Sequence, residues 1–373
     1  MRRPRKKLTL VAGARPNFMK IAPIIRELKQ HEDVFDWALV HTGQHYDHGM
    51  SEVFFQELGI PEPNFHMGAG GGSHAEQTAR VMIGFEKYCL EHHPNLVLVV
   101  GDVNSTLACS IVAKKLNIKV AHVEAGLRSG DMSMPEEINR MVTDAISDYF
   151  FVTEPSGEEN LKREGHRPEK IHFVGHVMID NLFYQIEQLK HMDTSVFSTN
   201  ALKQQFGRYG VVTLHRPSNV DDEAALRGIA SALIDIARDL PLIFAVHPRT
   251  AQTLEKFGIA FPDTIIRTVP LPYMEFLNLW KDAALVLTDS GGLQEETTAL
   301  GVPCLTLREN TERPITITEG TNALVGRDPV RIIAEAAKAL TSTKHSTNKV
   351  PRLWDGKAST RIIQVLMASN ART

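Results

Sequence analysis

The 373-residue chain has few cysteines, little net charge and no long apolar run. Its 3 cysteines, at positions 89, 109 and 304, are odd in number and widely spaced, which excludes a disulfide scaffold and predicts buried thiols in a reducing compartment. Lys and Arg number 41 against 44 Asp and Glu, so the formal net charge is −3 and no basic surface for nucleic acid is indicated. No apolar run approaches the ~18–20 residues of a membrane span, and the run Leu8 to Ala12 is too short for a signal peptide. We therefore expect a cytoplasmic protein with neither a nucleic-acid nor a membrane partner.

Short apolar runs alternate with amphipathic segments along most of the chain. The runs LTLVAGA, WALVHTG, NLVLVVGD and KVAHVEAG are continuous rather than alternating, which is typical of parallel strands covered on both faces. Helical patterns such as 76–92 and 105–116 separate these runs. The repeating order predicts an α/β protein with Rossmann-like, doubly wound sheets.

A polar helical stretch at 177–206 interrupts this order before strands resume at YGVVTLH. It divides the chain into an N-terminal Rossmann-like domain at 1–176 and a C-terminal one at 177–355. Because ligands bind at the carboxyl ends of parallel strands, two facing domains place the expected site in the cleft between them.

Two cations follow the first predicted strand. Arg15 and Lys20 fall in the loop and the first helical turn after LTLVA, where free N–H groups and the helix dipole attract anions. This position favours a phosphate-bearing ligand, and a solvated surface pair is the alternative.

The segment TDSGGLQEE also leads from a strand into a helix. Ser290, Gly291 and Gly292 offer a hydroxyl and close backbone approach to a diphosphate, and Glu296 is placed to bond ribose hydroxyls. The segment lacks the lysine of a P-loop and the spacing G-x-G-x-x-G, so a purely structural turn is the alternative and a dinucleotide oxidoreductase is disfavoured.

Carboxylates follow two apolar strands of the first half. Asp102 ends LVLVV, Glu124 ends VAHVE, and Glu136 begins a helical segment with Arg140 one turn later. An acid at the end of a buried strand is costly unless it is paired or functional, so we expect a carboxylate cluster able to exchange protons near neutral pH. The alternative is two structural ion pairs, Glu124 with Arg128 and Glu136 with Arg140.

Histidines are numerous, at 16 in the chain. His215 follows the first strand of the second domain, where it would serve as a proton carrier or electrostatic stabiliser facing the carboxylates. His247 ends another strand of that domain. The remaining histidine groups lack a ligand pattern, so no metal is expected; they are His41, His45, His48, His172 and His176.

Eight segments in order resemble the motifs of the non-hydrolysing UDP-N-acetylglucosamine 2-epimerases: GARPNFMKIAP, TGQHYD, GDVNST, HVEAGLRSGD, MPEEINR, HRPSN, TDSGGLQEE and TERP. The resemblance runs from about residue 8 to the end of the chain. It implies a glycosyltransferase-B-like fold in which a final helix, within 356–373, crosses back to the N-terminal domain. It also implies a homodimer that interconverts UDP-N-acetylglucosamine (UDP-GlcNAc) and UDP-N-acetylmannosamine (UDP-ManNAc) with no cofactor and feeds surface polysaccharide synthesis.

The same resemblance implies roles for single residues. The acid/base groups would be Asp102, Glu124, Glu136 and His215. The substrate and UDP ligands would be Arg15, Lys20, Arg140, Ser290, Gly291, Gly292, Glu296 and Arg313. The candidates for an effector-side or substrate-side surface would be Gln44, His45 and His247. The chain departs from the family pattern at Ala14, Asn17 and Ser218, which leaves the substituents on the sugar open.

Other functions fit part of this pattern. A glycosyltransferase of the same fold would use the same UDP cradle, but it has no need of a carboxylate cluster for proton transfer at C2. A hydrolysing epimerase would differ mainly in water access. A 2-epimerase of a modified UDP-acetamido sugar or uronate would share every motif, and a UDP-sugar sensor would bind without turnover.

Overall fold

The computed structural model describes residues 5–43, 52–341 and 350–369. The chain forms two compact units. Unit 1 comprises Met1–Asn181 and Arg352–Thr373, and unit 2 comprises Leu182–Pro351.

Unit 1 is built on a parallel sheet of seven strands in the described part of the chain. The strands are β1 (Lys6–Ala12), β2 (Phe35–His41), β3 (Phe65–His66), β4 (Leu96–Val100), β5 (Lys119–Val123), β6 (Tyr149–Val152) and β7 (Ile171–Phe173). Their spatial order is β3-β2-β1-β4-β5-β6-β7. The helices that connect them are α1 (Arg15–Leu28), α2 (Glu52–Glu57), α3 (His74–His92), α4 (Asn104–Lys115), α5 (Pro135–Ile146) and α6 (Pro155–Arg163). Helix α7 (Val177–Lys190) follows β7 and continues from unit 1 into unit 2.

Unit 2 repeats this plan with six described parallel strands. They are β8 (Gly210–Thr213), β9 (Leu242–Ala245), β10 (Ile265–Thr268), β11 (Leu285–Thr288), β12 (Cys304–Thr306) and β13 (Asn322–Leu324), in the order β10-β9-β8-β11-β12-β13. The helices are α8 (Asn200–Phe206), α9 (Pro217–Val220), α10 (Glu223–Ile236), α11 (Pro248–Lys256), α12 (Tyr273–Trp280), α13 (Gly291–Leu300), α14 (Ile315–Thr318) and α15 (Pro329–Thr341).

These orders confirm the predicted α/β class and the doubly wound, Rossmann-like sheets. In each sheet the strand order reverses beside the first strand, between β1 and β4 and between β8 and β11, which is the point where such sheets bind ligands. Strand β4 is buried at every residue because helices cover both faces of the sheet, and this explains its unbroken apolar sequence.

The last helix, α16 (Ala358–Ala368), belongs to unit 1. Its first turn is capped by the buried carboxylate of Asp180, which accepts hydrogen bonds from the backbone N–H of Ala358 at 3.0 Å and from both the N–H and the hydroxyl of Ser359 at 2.7 Å. The Thr360 hydroxyl bonds Glu27 of α1 at 3.1 Å. A residue more than 170 positions earlier therefore fixes where this helix starts.

All three cysteines are buried and unpaired, as predicted. None of the helices within the described ranges is long and apolar enough to cross a membrane.

Candidate active site

The carboxyl ends of β4 and β5 place Asp102 and Glu124 on neighbouring strands at one edge of the unit 1 sheet. Glu124 is 4% exposed, and one of its carboxylate oxygens, Oε2, lies 2.5 Å from the Lys20 ammonium of α1. The other oxygen, Oε1, is buried and has no hydrogen-bond partner among the described residues. The structure thus brings Lys20 and Glu124 together and leaves Oε1 of Glu124 available.

The backbone at this edge is in the left-handed region at two positions. Glu124 has φ +69°, a conformation that costs a non-glycine residue about 1–2 kcal/mol. Gly101 has φ +66°, and a Cβ there would lie 3.0 Å from the Lys20 ammonium nitrogen. Gly101 is therefore required by both its conformation and its close approach to the ion pair, and the strain at Glu124 is typical of a functional site.

Asp102 is held by α5. The Arg140 guanidinium donates to the Asp102 carboxylate at 2.6 Å with one nitrogen and to Glu137 at 2.6 Å with another. The Asn139 amide donates to the Asp102 carbonyl at 2.8 Å. Asp102 keeps about a quarter of its side chain exposed, so its charge is balanced by Arg140 while the carboxylate stays accessible.

Neither of the two alternative ion pairs considered from spacing occurs. Arg140 pairs with Glu137 instead of Glu136, because Glu137 lies on the buried side of α5 and Glu136 is exposed. Arg128 pairs with Asp144 at 2.8 Å and with Glu164 at 2.7 Å, whereas Glu124 pairs with Lys20. Sequence spacing along one helix could not identify partners that come from another element.

Glu137 was assigned no role from the sequence. Its carboxylate accepts hydrogen bonds from the N–H groups of Ser129 and Gly130, at 2.9 and 3.1 Å. Burial raises the pKa of Glu137, but these bonds and Arg140 outweigh burial, so the net shift is downward. The only signal in the sequence was its spacing of three residues from Arg140.

The N-terminus of α1 is closed by Asn17. Its side-chain oxygen accepts hydrogen bonds from the N–H groups of Gly13 and Ala14, each at 3.0 Å, and its amide donates to Val100 in β4. The N–H groups of Gly13 and Ala14 are therefore already bonded, and Arg15 is exposed at the first position of the helix.

In unit 2, β11 leads into α13 through Ser290, Gly291 and Gly292. The Ser290 hydroxyl makes no capping bond to the helix. Neither glycine has a positive φ, so the backbone conformation does not require glycine here. A Cβ on Gly292 would meet nothing within 4 Å, and one on Gly291 would come no nearer than 4.0 Å to another atom. The small residues therefore leave open space at the start of α13, where first-turn N–H groups lack helical partners.

Glu296 lies one turn into α13 and is buried. The Tyr273 hydroxyl bonds its carboxyl at 3.0 Å. Burial raises the pKa of Glu296 to about 7, although the Tyr273 hydrogen bond lowers it, and the neighbouring charge of Glu295 adds to the rise. A carboxyl with this pKa can donate or accept a hydrogen bond near neutral pH. Arg313 forms an ion pair with the buried Glu295, which fixes the guanidinium beside the same helix.

His215 is oriented by a buried aspartate. Its ring Nδ1 lies 2.8 Å from Asp289, and Asp289 also accepts hydrogen bonds from the N–H groups of His215 and Arg216, at 3.0 and 2.9 Å. Burial raises the pKa of Asp289, but these bonds and the charge of His215 lower it overall. The contact at Nδ1 fixes the orientation of the imidazole and leaves Nε2 for another partner. Asp289 was not assigned a role from the sequence, although it directly precedes Ser290.

The other described histidines belong to no cluster of metal ligands. Across residues 5–43, 52–341 and 350–369, no three His, Cys, Asp or Glu side chains are grouped so as to hold a metal ion. The exposed ring of His247 lies 6.1 Å from the ring of His215, and its Nδ1 accepts from the N–H of Arg249 at the start of α11. Gln44, His45 and His48 lie outside the described residues.

Known proteins resemble the chain over almost its whole length. A sequence model of the family described as UDP-N-acetylglucosamine 2-epimerase matches residues 26–367. The UDP-N-acetylglucosamine 2-epimerase of Methanocaldococcus jannaschii is 41% identical over 96% of this chain and 98% of its own. The UDP-2,3-diacetamido-2,3-dideoxy-D-glucuronate 2-epimerase of Pseudomonas aeruginosa is 38% identical over 96% of this chain and 99% of its own. The crystal structure of the M. jannaschii enzyme in complex with UDP-GlcNAc and UDP aligns with a TM-score of 0.80 at 40% identity, covering 97% of this chain and 99% of that one.

Proposed function

Because the chain belongs to the UDP-N-acetylglucosamine 2-epimerase family, and is thereby an isomerase, we propose that it interconverts UDP-GlcNAc and UDP-ManNAc. The observation that carries this proposal is the pair of carboxylates, Asp102 and Glu124, at the ends of adjacent strands, each beside its own cation. A reaction that removes a proton from one face of a carbon and returns it to the other needs two such groups.

The chemistry at C2 of the sugar explains why UDP has to leave. The C2–H bond is not acidic, since no carbonyl lies beside it. When the C1–O bond to UDP breaks, C1 becomes oxocarbenium-like and C2–H becomes acidic. Loss of that proton gives 2-acetamidoglucal and UDP; addition of a proton to the opposite face of C2 and of UDP to C1 gives the epimer.

Unit 1 supplies the proton-transfer groups in this proposal. Glu124 has a free, buried oxygen suited to a proton, and Lys20 holds its other oxygen. Asp102 is held by Arg140 and remains accessible. Glu136, exposed at the first turn of α5, is the third acid group that the family resemblance assigns.

Unit 2 supplies the diphosphate and nucleoside contacts. The open start of α13, with Ser290, Gly291 and Gly292, accepts the diphosphate, and Arg313 neutralises its charge as UDP leaves. Glu296 bonds the ribose hydroxyls. His215, held by Asp289, stabilises negative charge that develops on the leaving group. Arg15, in unit 1, is a further diphosphate ligand.

The family resemblance supports three further parts of the proposal. The protein would need no cofactor, would act as a homodimer, and would feed the synthesis of a surface polysaccharide.

A second substrate is supported by one comparison. The P. aeruginosa relative, 38% identical, is named for a diacetamido uronate sugar rather than for UDP-GlcNAc. We therefore keep a 2-epimerase of a modified UDP-acetamido sugar as the second candidate.

Proton NMR of the purified protein with UDP-GlcNAc in D2O, with no cofactor added, tests the proposal. UDP-ManNAc carrying deuterium at C2 is the expected product. Free ManNAc and UDP would indicate a hydrolysing enzyme. Binding without any change in the sugar would reject UDP-GlcNAc as the substrate, and the same assay with UDP-2,3-diacetamido-2,3-dideoxyglucuronate then tests the second candidate.

A further inference from the structure

Two completely buried side chains connect the loops that carry Asp102 and Glu124. His122 lies in β5, two residues before Glu124, and Asp144 lies in α5; both are 0% exposed. Neither contacts the carboxylates of Asp102 or Glu124 in the described hydrogen-bond network, so their part in the site has to be indirect.

Both ring nitrogens of His122 face acceptors. Nδ1 lies 2.7 Å from Oδ1 of Asp144, and Nε2 lies 2.9 Å from the carbonyl oxygen of Gly101. A carbonyl oxygen can only accept, so Nε2 carries a hydrogen. Burial raises the pKa of Asp144, but the charges and hydrogen bonds of His122 and Arg128 outweigh it, so the net shift is downward. The imidazole therefore bridges the Asp144 carboxyl and the Gly101 carbonyl.

The bond to Gly101 fixes the turn that presents Asp102. The N–H of Gly101 donates to Val123 of β5 at 3.0 Å, and its carbonyl accepts from His122, so β5 holds this residue at both backbone groups. Gly101 directly precedes Asp102 and adopts φ +66°. The backbone from which the Asp102 side chain projects is thus set by His122.

Asp144 fixes the turn after Glu124 in the same way. Its Oδ2 accepts from the N–H of Gly126 at 3.0 Å and from Arg128 at 2.8 Å. Gly126 adopts φ +80°, and a Cβ there would lie 2.2 Å from the carbonyl oxygen of Gly157, so this turn has little room to move.

We propose that His122 and Asp144 are positioning residues: His122 holds the turn before Asp102, Asp144 holds the turn after Glu124, and together they set the spacing of these two carboxylates. The catalytic consequence rests on the proposed function, whereas the positioning of the turns does not. Displacing a reacting group by about 1 Å can cost ~100-fold in rate, so a bond of this kind is expected to affect kcat more than KM.

Two substitutions of His122 separate positioning from general destabilisation. An asparagine amide reaches the place of Nδ1 and keeps a donor to Asp144, while a glutamine amide reaches the place of Nε2 and keeps a donor to Gly101. Both lose the buried ring and one of its two hydrogen bonds, so both should lower the melting temperature. We expect His122→Asn to lower kcat per folded molecule by ~30-fold, His122→Gln by no more than ~5-fold, and neither to change KM by more than ~3-fold. Equal kcat values for the two variants would overturn the positioning role.

Asp144→Asn and Asp148→Asn form a matched pair at opposite ends of β5. Asp148 accepts from the N–H of Val120 at 2.9 Å and pairs with Lys114 at 2.8 Å, far along the strand from the carboxyl edge. Asp144→Asn should lower kcat, and Asp148→Asn should leave it within about twofold. A similar loss of kcat in both variants would show that the effect comes from a less stable strand β5, and it would overturn the proposal.

Hydrogen exchange measured by mass spectrometry provides a readout that does not depend on the substrate. His122→Asn should increase amide exchange in the peptides that span 101–104 and 124–128 and leave the other strands unchanged. If the wild-type protein does not turn over UDP-GlcNAc, the proposed function fails, and this exchange alone decides the positioning. If the wild type is active and His122→Asn changes neither exchange nor kcat, the positioning fails while the function stands.

Discussion

Replacing Glu296 by Gln should make the protein more stable at alkaline pH and not at acidic pH. Glu296 is buried, and its carboxyl has a pKa of about 7 against an ordinary value of 4.5. Glutamine keeps the shape and an oxygen that accepts from Tyr273, but it cannot ionise. The substitution therefore removes only the free-energy cost of ionising a buried carboxyl.

Whether stability rises or falls with pH depends on which state of the chain, folded or unfolded, holds the proton of the Glu296 carboxyl. Below pH 4.5 both the folded and the unfolded chain hold the proton, so the two proteins should be equally stable. Between pH 4.5 and about 7 the unfolded wild type releases the proton while the folded form keeps it, and stability falls as the pH rises. At about 1.4 kcal/mol per pH unit, the loss reaches on the order of 3 kcal/mol and is complete above pH 7.

Calorimetry without UDP, on wild type and Glu296→Gln from pH 4 to pH 8.5, measures this difference as a widening gap in melting temperature. Tyr273→Phe is the matched variant. It removes the hydrogen bond that lowers the pKa of Glu296, so stability should continue to fall to a higher pH than in the wild type. A constant gap between wild type and Glu296→Gln at all pH values would show that Glu296 ionises as freely in the folded protein as in the unfolded chain, and would refute the reasoning.

Four further predictions follow from the same contacts. Asp102→Asn and Glu124→Gln should fold normally and lose most turnover in the D2O assay, because shape is kept while the capacity to exchange a proton is lost; a near wild-type kcat in either would contradict the proton-transfer role. Arg15→Ala should weaken UDP binding by ~10-fold in calorimetry, whereas Arg5→Ala, which loses an exposed pair with Asp36 and an exposed hydrogen bond to the Glu32 carbonyl, should not. In urea unfolding, Glu124→Gly should have a free energy of unfolding about 0.5–1 kcal/mol higher than Glu124→Ala, because both lose the carboxylate and only glycine is free of the cost of φ +69°; equal stabilities would argue against strain at this position. Asp180→Ala should cost about 2–3 kcal/mol in urea unfolding, since three buried donors at the start of α16 lose their acceptor, and Asp180→Asn should cost less.

The sequence predicts the fold well because the evidence for it is repeated many times along the chain. Most strands of the parallel sheets contain a short apolar run, and most are followed by a helix, so single errors do not change the class. The ends of those runs also mark Asp102 and Glu124, since an acid directly after a buried strand is conspicuous. Their burial and partners are decided by tertiary packing, which periodicity does not contain.

The residues to which sequence reasoning assigned no role share one property. Each is a buried polar side chain that makes hydrogen bonds to another residue of the site or of its supporting turns. Asp289 received no role although it stands between a strand and a glycine pair, and His122 received none although it stands two residues before Glu124. Glu137 and Asp144 lie on α5, and they accept hydrogen bonds from backbone N–H groups 7 to 18 residues earlier, in the loop after β5. Such residues cannot be recognised from local spacing, because what defines them is the acceptor or donor on another element. A sequence can therefore indicate which side chains would touch a substrate, whereas the groups that place those side chains become visible only when hydrogen bonds are traced from one element to the next.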